Sequence, residues 1–147
     1  MLVAGLGWPR FPYAVLQHAF MGDCTLVLSE YILEEARRTI KRIAPQRAQA
    51  LEDFLKEVDY EIVAAPSKED VVANILSVRD AADVPIALAA IAADLDCLVT
   101  QDKDLTENEA LKQRVKVLLP AVFLRDYMDW TSEELEAIRH RTWDDLE

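Results

Sequence analysis

The stretch D96-C-L-V-T-Q-D-K-D-L105 decides how the rest of the chain is read. Its apolar half is too short for a buried helix and suits a buried strand of a parallel sheet. Its polar half sets two carboxylates, Asp102 and Asp104, just past that strand. In an open α/β sheet the functional crevice lies outside the carboxyl ends of the strands. Acidic surface loops are common, so the pair needs support from elsewhere in the sequence.

Support comes from alternation. "TLVLS" (25–29), "YEIVAA" (60–65), "CLVT" (97–100) and "VKVLL" (115–119) are short apolar runs of the same kind. Between them lie helical patterns with i, i+3, i+4 spacing: Ile32, Ala36, Ile40, Ile43; then Leu51, Phe54, Leu55, Val58; then Val71, Val72, Ile75, Leu76. Ser67 with Asp70 and Thr131 with Glu134 read as helix-start boxes, and Pro85 and Pro120 suit first-turn positions. Strands alternating with helices predict a parallel sheet covered on both faces. The helix "PIALAAIAADL" is apolar nearly all round and must be buried on more than one side, by its own domain or by a second copy of the chain.

Composition bounds the class. The 147 residues suit one domain, with 52% hydrophobic and 29% charged residues, a soluble globular balance. No apolar run approaches the ~18 residues of a membrane span, and no secretion signal is legible, so a cytoplasmic location is expected. The net charge of -11 is uneven: from Asp126 onward eight acids face only Arg139 and Arg141. The division expected is a domain over 1–128 and an acidic helical tail over 129–147. Local fields, not net charge, steer a polyanion. Cys24 and Cys97 make neither a zinc site nor a disulfide framework. No Gly-x-Ser-x-Gly or His-Glu-x-x-His motif occurs, which disfavours serine hydrolase and zinc protease chemistry.

Two further acids are positioned for the strand-end rim. Asp83 stands just before the Pro85 helix, where it is a helix cap, a ligand, or both, since one carboxylate can accept an N–H and still face an ion. On the helix that starts after Ser29, a rotation of about 100° per residue puts Glu35 at the border of the apolar face and Glu34 toward water. Arg38 and Arg42 share the Glu35 edge, as intrahelical pairs or as phosphate contacts.

Taken together, S29-x3-L-x-E35, D83-x-P-I-x-L-A and L-V-T-x-D102-K-D-L resemble a PIN domain, in order and spacing, over roughly residues 24–124. The resemblance implies a three-layer α/β/α sandwich with sheet order 3-2-1-4-5. It implies a metal-dependent, single-stranded ribonuclease, the toxin of a toxin–antitoxin pair, with an antitoxin protein and a homodimer as possible partners. Glu35, Asp83 and Asp102 match its Mg²⁺ or Mn²⁺ ligands and catalytic acids, Asp104 matches a more variable acidic position, and Ser29, Arg38, Arg42 and Thr100 match polar residues near substrate. Packed carboxylates repel one another unless a hard cation neutralises them.

The sequence departs from this pattern at its start. In the family the first strand ends in a metal-binding Asp, whereas the first acid here is Asp23. Either "MLVAG" supplies a substitute strand, or the natural chain begins upstream of Met1. A rival reading follows, in which a degenerate PIN-like module binds protein or RNA without cutting. With a first strand between them, "TLVLS" and "CLVT" stand ~9–10 Å apart, too far for a disulfide spanning at most ~7 Å. Cys24 and Cys97 are therefore expected to stay thiols.

Overall fold

The computed structural model describes residues 1–64, 67, 69 and 84–146. The Ser67/Asp70 box, the helical pattern through Leu76 and Asp83 lie outside the described residues, Ser67 apart. The fold is mixed α/β, and the chain divides into two compact units.

The first unit comprises Met1–Leu26, Glu35–Tyr60 and Pro120–Glu147. Residues near Met1 form no strand: α1 (Leu2–Gly7) is helical. Its apolar side chains explain this, because Leu2, Gly5 and Leu6 recur at i, i+3 and i+4 and are buried, the spacing of one helix face. That face packs on α2 (Phe11–Phe20). Gly5 permits the close approach, since a Cβ there would lie 2.5 Å from Leu16 Cδ1 and 3.1 Å from the backbone of Pro12. Gly22, with φ of 87°, lets the chain turn away after α2, a conformation that glycine adopts without a Cβ penalty.

The carbonyls of Leu6 and Gly7 at the end of α1, and of Pro9 just after it, are met from far along the chain. Arg47 Nε donates to Leu6 O at 2.8 Å, Trp143 Nε1 to Gly7 O at 3.0 Å, and Arg141 Nε to Pro9 O at 2.6 Å. Helix ends leave such carbonyls without intrahelical donors. Further along, α2 packs on α8 (Pro120–Tyr127). His18 ties the two regions, accepting at Nε2 from Trp130 Nε1 at 2.9 Å and meeting Asp23 Oδ2 through Nδ1 at 2.7 Å. Indole N–H is only a donor, so Nε2 must be bare and Nδ1 carries the proton. The unit also holds α4 (Ala48–Glu57), anchored by Leu51 and Leu55, and α9 (Ser132–Ile138). Thr131 and Glu134 form the expected capping box at the start of α9.

The second unit comprises Val27–Glu34 and Glu61–Leu119. Strand β1 (Leu26–Ser29) pairs with β2 (Tyr60–Val63), and β3 (Leu98–Val99) with β4 (Val117–Leu118). The second pair is parallel, with Leu98 opposite Val117 and Val99 opposite Leu118. These are the neighbour pairs that remain when the middle strand of the order 3-2-1-4-5 is left out. Helix α3 (Glu30–Ile43) follows β1 directly, and α5 (Val84–Ala92) holds Pro85 in its first turn. Val84, Ala87 and Ala90 join Leu105, Leu111 and Val115 in one core, against which Ile86, Leu88 and Ile91 also pack. Part of the burial that this helix needs is thus met inside its own unit, while Ile86, Leu88 and Ile91 stay only partly buried. Cys24 and Cys97 both remain thiols, and burial followed by the nearby Asp23 charge raises the Cys24 pKa.

The glycines of α1 give a test. Gly5→Ala is expected to lose about 1–2 kcal/mol of stability, because overpacking against buried Leu16 outweighs the gain in helix propensity. Gly7→Ala, whose Cβ would meet nothing within 4 Å, is expected to be neutral or slightly stabilising. Urea unfolding of the two variants measures the difference, and equal stabilities would show that the α1–α2 approach is not tight.

Candidate functional site

The polar stretch after β3 folds through a chain of local hydrogen bonds. Thr100 N donates to Leu118 O at 2.9 Å, the last rung of the β3–β4 ladder. Its buried side chain turns the backbone, Oγ1 accepting from Asp102 N at 3.1 Å. Asp102 then caps the short helix α6 (Lys103–Thr106), its Oδ1 accepting from Asp104 N at 2.8 Å. Leu105, 1% exposed, plugs this turn into the core of the unit. Thr, Asp and Leu are each where the turn chemistry requires them.

This geometry divides the duties of Asp102. One oxygen caps the helix, whereas Oδ2 accepts no hydrogen bond among the described residues and the side chain is exposed. Asp104 stands half-buried two positions on. The cap is therefore compatible with a second role for the same carboxylate. Carboxylates two positions apart, offering oxygen donors only, are the ligand type that suits a hard divalent cation.

Ser29 occupies the corresponding place at the end of β1. It is 1% exposed, and its Oγ accepts from Ile32 N at 3.1 Å, capping α3. Its structural duty accounts for its presence. On α3 Glu35 is half-buried and Glu34 exposed, in line with the helical wheel. Glu35 Oε1 lies 3.5 Å from Arg38 Nη1. Arg42 is exposed. Arg37 donates to both oxygens of Glu52 at 2.8 and 3.4 Å. That hydrogen bond, with the guanidinium charge beside it, lowers the Glu52 pKa. The basic face of α3 is thus partly neutralised by its own neighbours.

Glu35 belongs to the first unit, while Ser29, Thr100, Asp102 and Asp104 belong to the second. Asp83 lies outside the described residues. Among the described residues no three His, Cys, Asp or Glu side chains gather as a metal-binding group. The donor set that can be examined is Asp102 with Asp104, and its chemistry fits a divalent cation.

One group of residues escaped sequence reading. Arg10, Arg47 and Arg141 meet around the turn after α1, with Trp143 below the Arg47 guanidinium at 4.3 Å and Tyr13 below that of Arg141 at 5.6 Å. The only local signal was Arg10 close to Trp8, because its partners lie far away in sequence.

The mixed α/β fold with short strands is of the kind found in nuclease-type PIN domains. The PIN-domain family model matches residues 3–104, and the chain belongs to the PIN-domain family. The match spans Ser29, Glu35, Asp83, Thr100, Asp102 and Asp104. Members of this family generally bind divalent metals and typically act on RNA. The chain matches no curated protein and no solved structure. No helix among the described residues is long and apolar enough to cross a membrane.

The two duties of Asp102 separate by mutation. Asn caps helices about as well as Asp, so Asp102→Asn should leave stability within about 0.5 kcal/mol of wild type, whereas Asp102→Ala should cost about 1 kcal/mol. Urea denaturation distinguishes them. Equal losses in both variants would show that the charge, not the cap, holds this turn.

Proposed function

We propose that this chain is a metal-dependent ribonuclease of single-stranded RNA, acting in the cytoplasm as the toxin of a toxin–antitoxin pair. The observation that carries the reading is the Asp102 carboxylate, which caps α6 with one oxygen and leaves the other without a hydrogen bond among the described residues. Family membership supplies the reaction class. In this proposal Asp102 and Asp104 hold Mg²⁺ or Mn²⁺, and Glu35 and Asp83 complete the ligand set on the strength of the sequence resemblance alone. A bound cation of this kind makes its water more acidic and stabilises the leaving oxygen of a phosphodiester. Thr100 keeps Asp102 in register through the 3.1 Å bond to its N–H. Arg38 and Arg42 contact phosphate, Arg38 while leaning on Glu35. An antitoxin protein and a second copy of the chain are the proposed protein partners.

The second reading is a PIN-like binding module. On that reading the chain keeps the fold and binds protein or RNA without cutting it.

Titration of Mn²⁺ followed by a cleavage assay on single-stranded RNA decides between them. The ribonuclease reading expects Mn²⁺-dependent cleavage by the wild type. Asp102→Asn, which removes a charged ligand oxygen, should weaken Mn²⁺ binding and abolish cleavage. RNA binding without Mn²⁺ binding or cleavage in the wild type would establish the binding module instead. A wild-type-like Asp102→Asn enzyme would remove Asp102 from the site.

A further inference from the structure

The ring of His18 joins two turns of the first unit. At the end of α2 Gly22 takes φ of 87°, its N–H donates to Ala19 O at 3.1 Å, and Asp23 N donates to His18 O at 2.9 Å. These are the two bonds of a Schellman turn. They bring the Asp23 side chain back onto His18, where Oδ2 meets Nδ1 at 2.7 Å. After α8 the chain turns through Asp129, whose φ of 58° is uncommon for a residue with a Cβ. Trp130 N donates to Leu124 O at 3.1 Å, and the Trp130 indole reaches 112 positions back to donate Nε1–H to His18 Nε2 at 2.9 Å.

The bond to Trp130 exists in one protonation state of His18 only. An indole has only an N–H to give, and an imidazolium has no bare nitrogen to receive it. Flipping the ring does not help, since both nitrogens then carry protons. Asp23 meets the opposite case: its carboxylate accepts from the neutral ring and from imidazolium alike, more strongly from the latter. Protonation therefore tightens one turn and severs the other. The His18 side chain is 15% exposed and Trp130 is half-buried, so the two donors would face each other with little water between them.

Asp23 is the ion-pair partner of His18 among the described residues. On α2 itself the other titratable side chain is Tyr13, which packs on Trp143. Helix α1 has no charged side chain. Helix α8 carries Arg125 and Asp126, paired with each other at 2.8 Å, and Tyr127, stacked on Phe123. Cys24 follows Asp23, and Asp129 is exposed in the turn. The C-terminal segment brings Arg139 over Phe11 and Arg141 over Tyr13, with Asp144 and Asp145 next in sequence to Trp143, toward the other end of α2.

We propose that His18 is a pH-operated latch: the neutral ring holds Trp130, and with it the turn between α8 and α9, and protonation of the ring lets the indole go. The release is local. Beyond α9 the chain is tied again by Arg141 and Trp143, whose acceptors, the carbonyls of Pro9 and Gly7, do not titrate. The latch is independent of the ribonuclease reading, since it uses no residue of the strand-end site.

The test is NMR spectroscopy of the isotope-labelled chain from about pH 8 to about pH 5.5, a window that brackets the titration of an ordinary imidazole. Nitrogen–nitrogen coupling across the Trp130–His18 bond reads the latch directly, and the ring signals of His18 read its protonation. At the upper end the coupling should be present and the proton should sit on Nδ1. The coupling should vanish with the same midpoint as His18 protonation, while the Trp143 indole signal stays in place. His18→Gln keeps an acceptor oxygen that does not titrate, so the Trp130 signal should lose its pH dependence. His140→Gln, which alters an exposed ring, should behave like wild type.

Coupling that persists after His18 is protonated, a proton on Nε2 at the upper end, or no protonation of His18 within the window would each overturn the proposal. So would a Trp130 transition that survives in His18→Gln, because another group would then drive it. Movement of the Trp143 signal together with that of Trp130 would overturn it as well, the event being unfolding and not release. Should His18→Gln fail to fold, the wild-type coupling and its midpoint decide alone.

Discussion

Three backbone carbonyls, those of Leu6, Gly7 and Pro9, set the terms for the first unit. A helix of six residues satisfies few of its own carbonyls, and its last turn would be costly to bury without outside donors. The donors come from Arg47, Trp143 and Arg141, separated from their acceptors by 41, 136 and 132 positions. Long-range bonds of this type close large loops, so each must offset the entropy of ordering the chain between its ends. They do so jointly with apolar packing of Leu2, Leu6 and Leu16, and the Arg47–Trp143 stack adds a cation–π term of about 0.5–2 kcal/mol. The N-terminal helices and the C-terminal segment therefore depend on each other for stability.

The same arrangement holds Arg47 and Arg141 on backbone carbonyls, without an ion pair among the described residues. A guanidinium that donates Nε to a carbonyl is held in place without losing its charge. A carboxylate partner would have held it equally well and cancelled that charge. The contrast with α3 is direct, since Arg37 and Arg38 are held by Glu52 and Glu35.

In the second unit, the turn after β3 is held by residues that include those proposed to bind the metal. Thr100 and Asp102 stop β3 and start α6, and Leu105 locks the turn against the core. A carboxylate fixed by its cap loses little further freedom on meeting a cation, which is how a preorganised ligand lowers the cost of binding. Ser29 plays the capping half of that role at the end of β1 and is buried by it. Two strand ends therefore carry similar polar side chains, but only one leaves an oxygen exposed.

Much of this was legible in the sequence because it depends on local rules. The short apolar runs became β1 to β4, the i, i+3, i+4 series became α3 and α4, and Thr131 with Glu134 formed its box. The order of Glu35, Asp83 and Asp102 was enough to identify the family, and the wheel separated half-buried Glu35 from exposed Glu34. Tertiary structure decided the rest. "MLVAG" has the composition of a strand, yet Leu2, Gly5 and Leu6 bury one helix face against α2, with Gly5 alone small enough for the approach. Periodicity over so few residues cannot choose between the two forms, and packing chooses. Nor could any local pattern bring Arg10, Arg47 and Arg141 together, because their meeting is set by long-range bonds, Arg47 to Leu6 O, Arg141 to Pro9 O and Arg10 to Arg141 O.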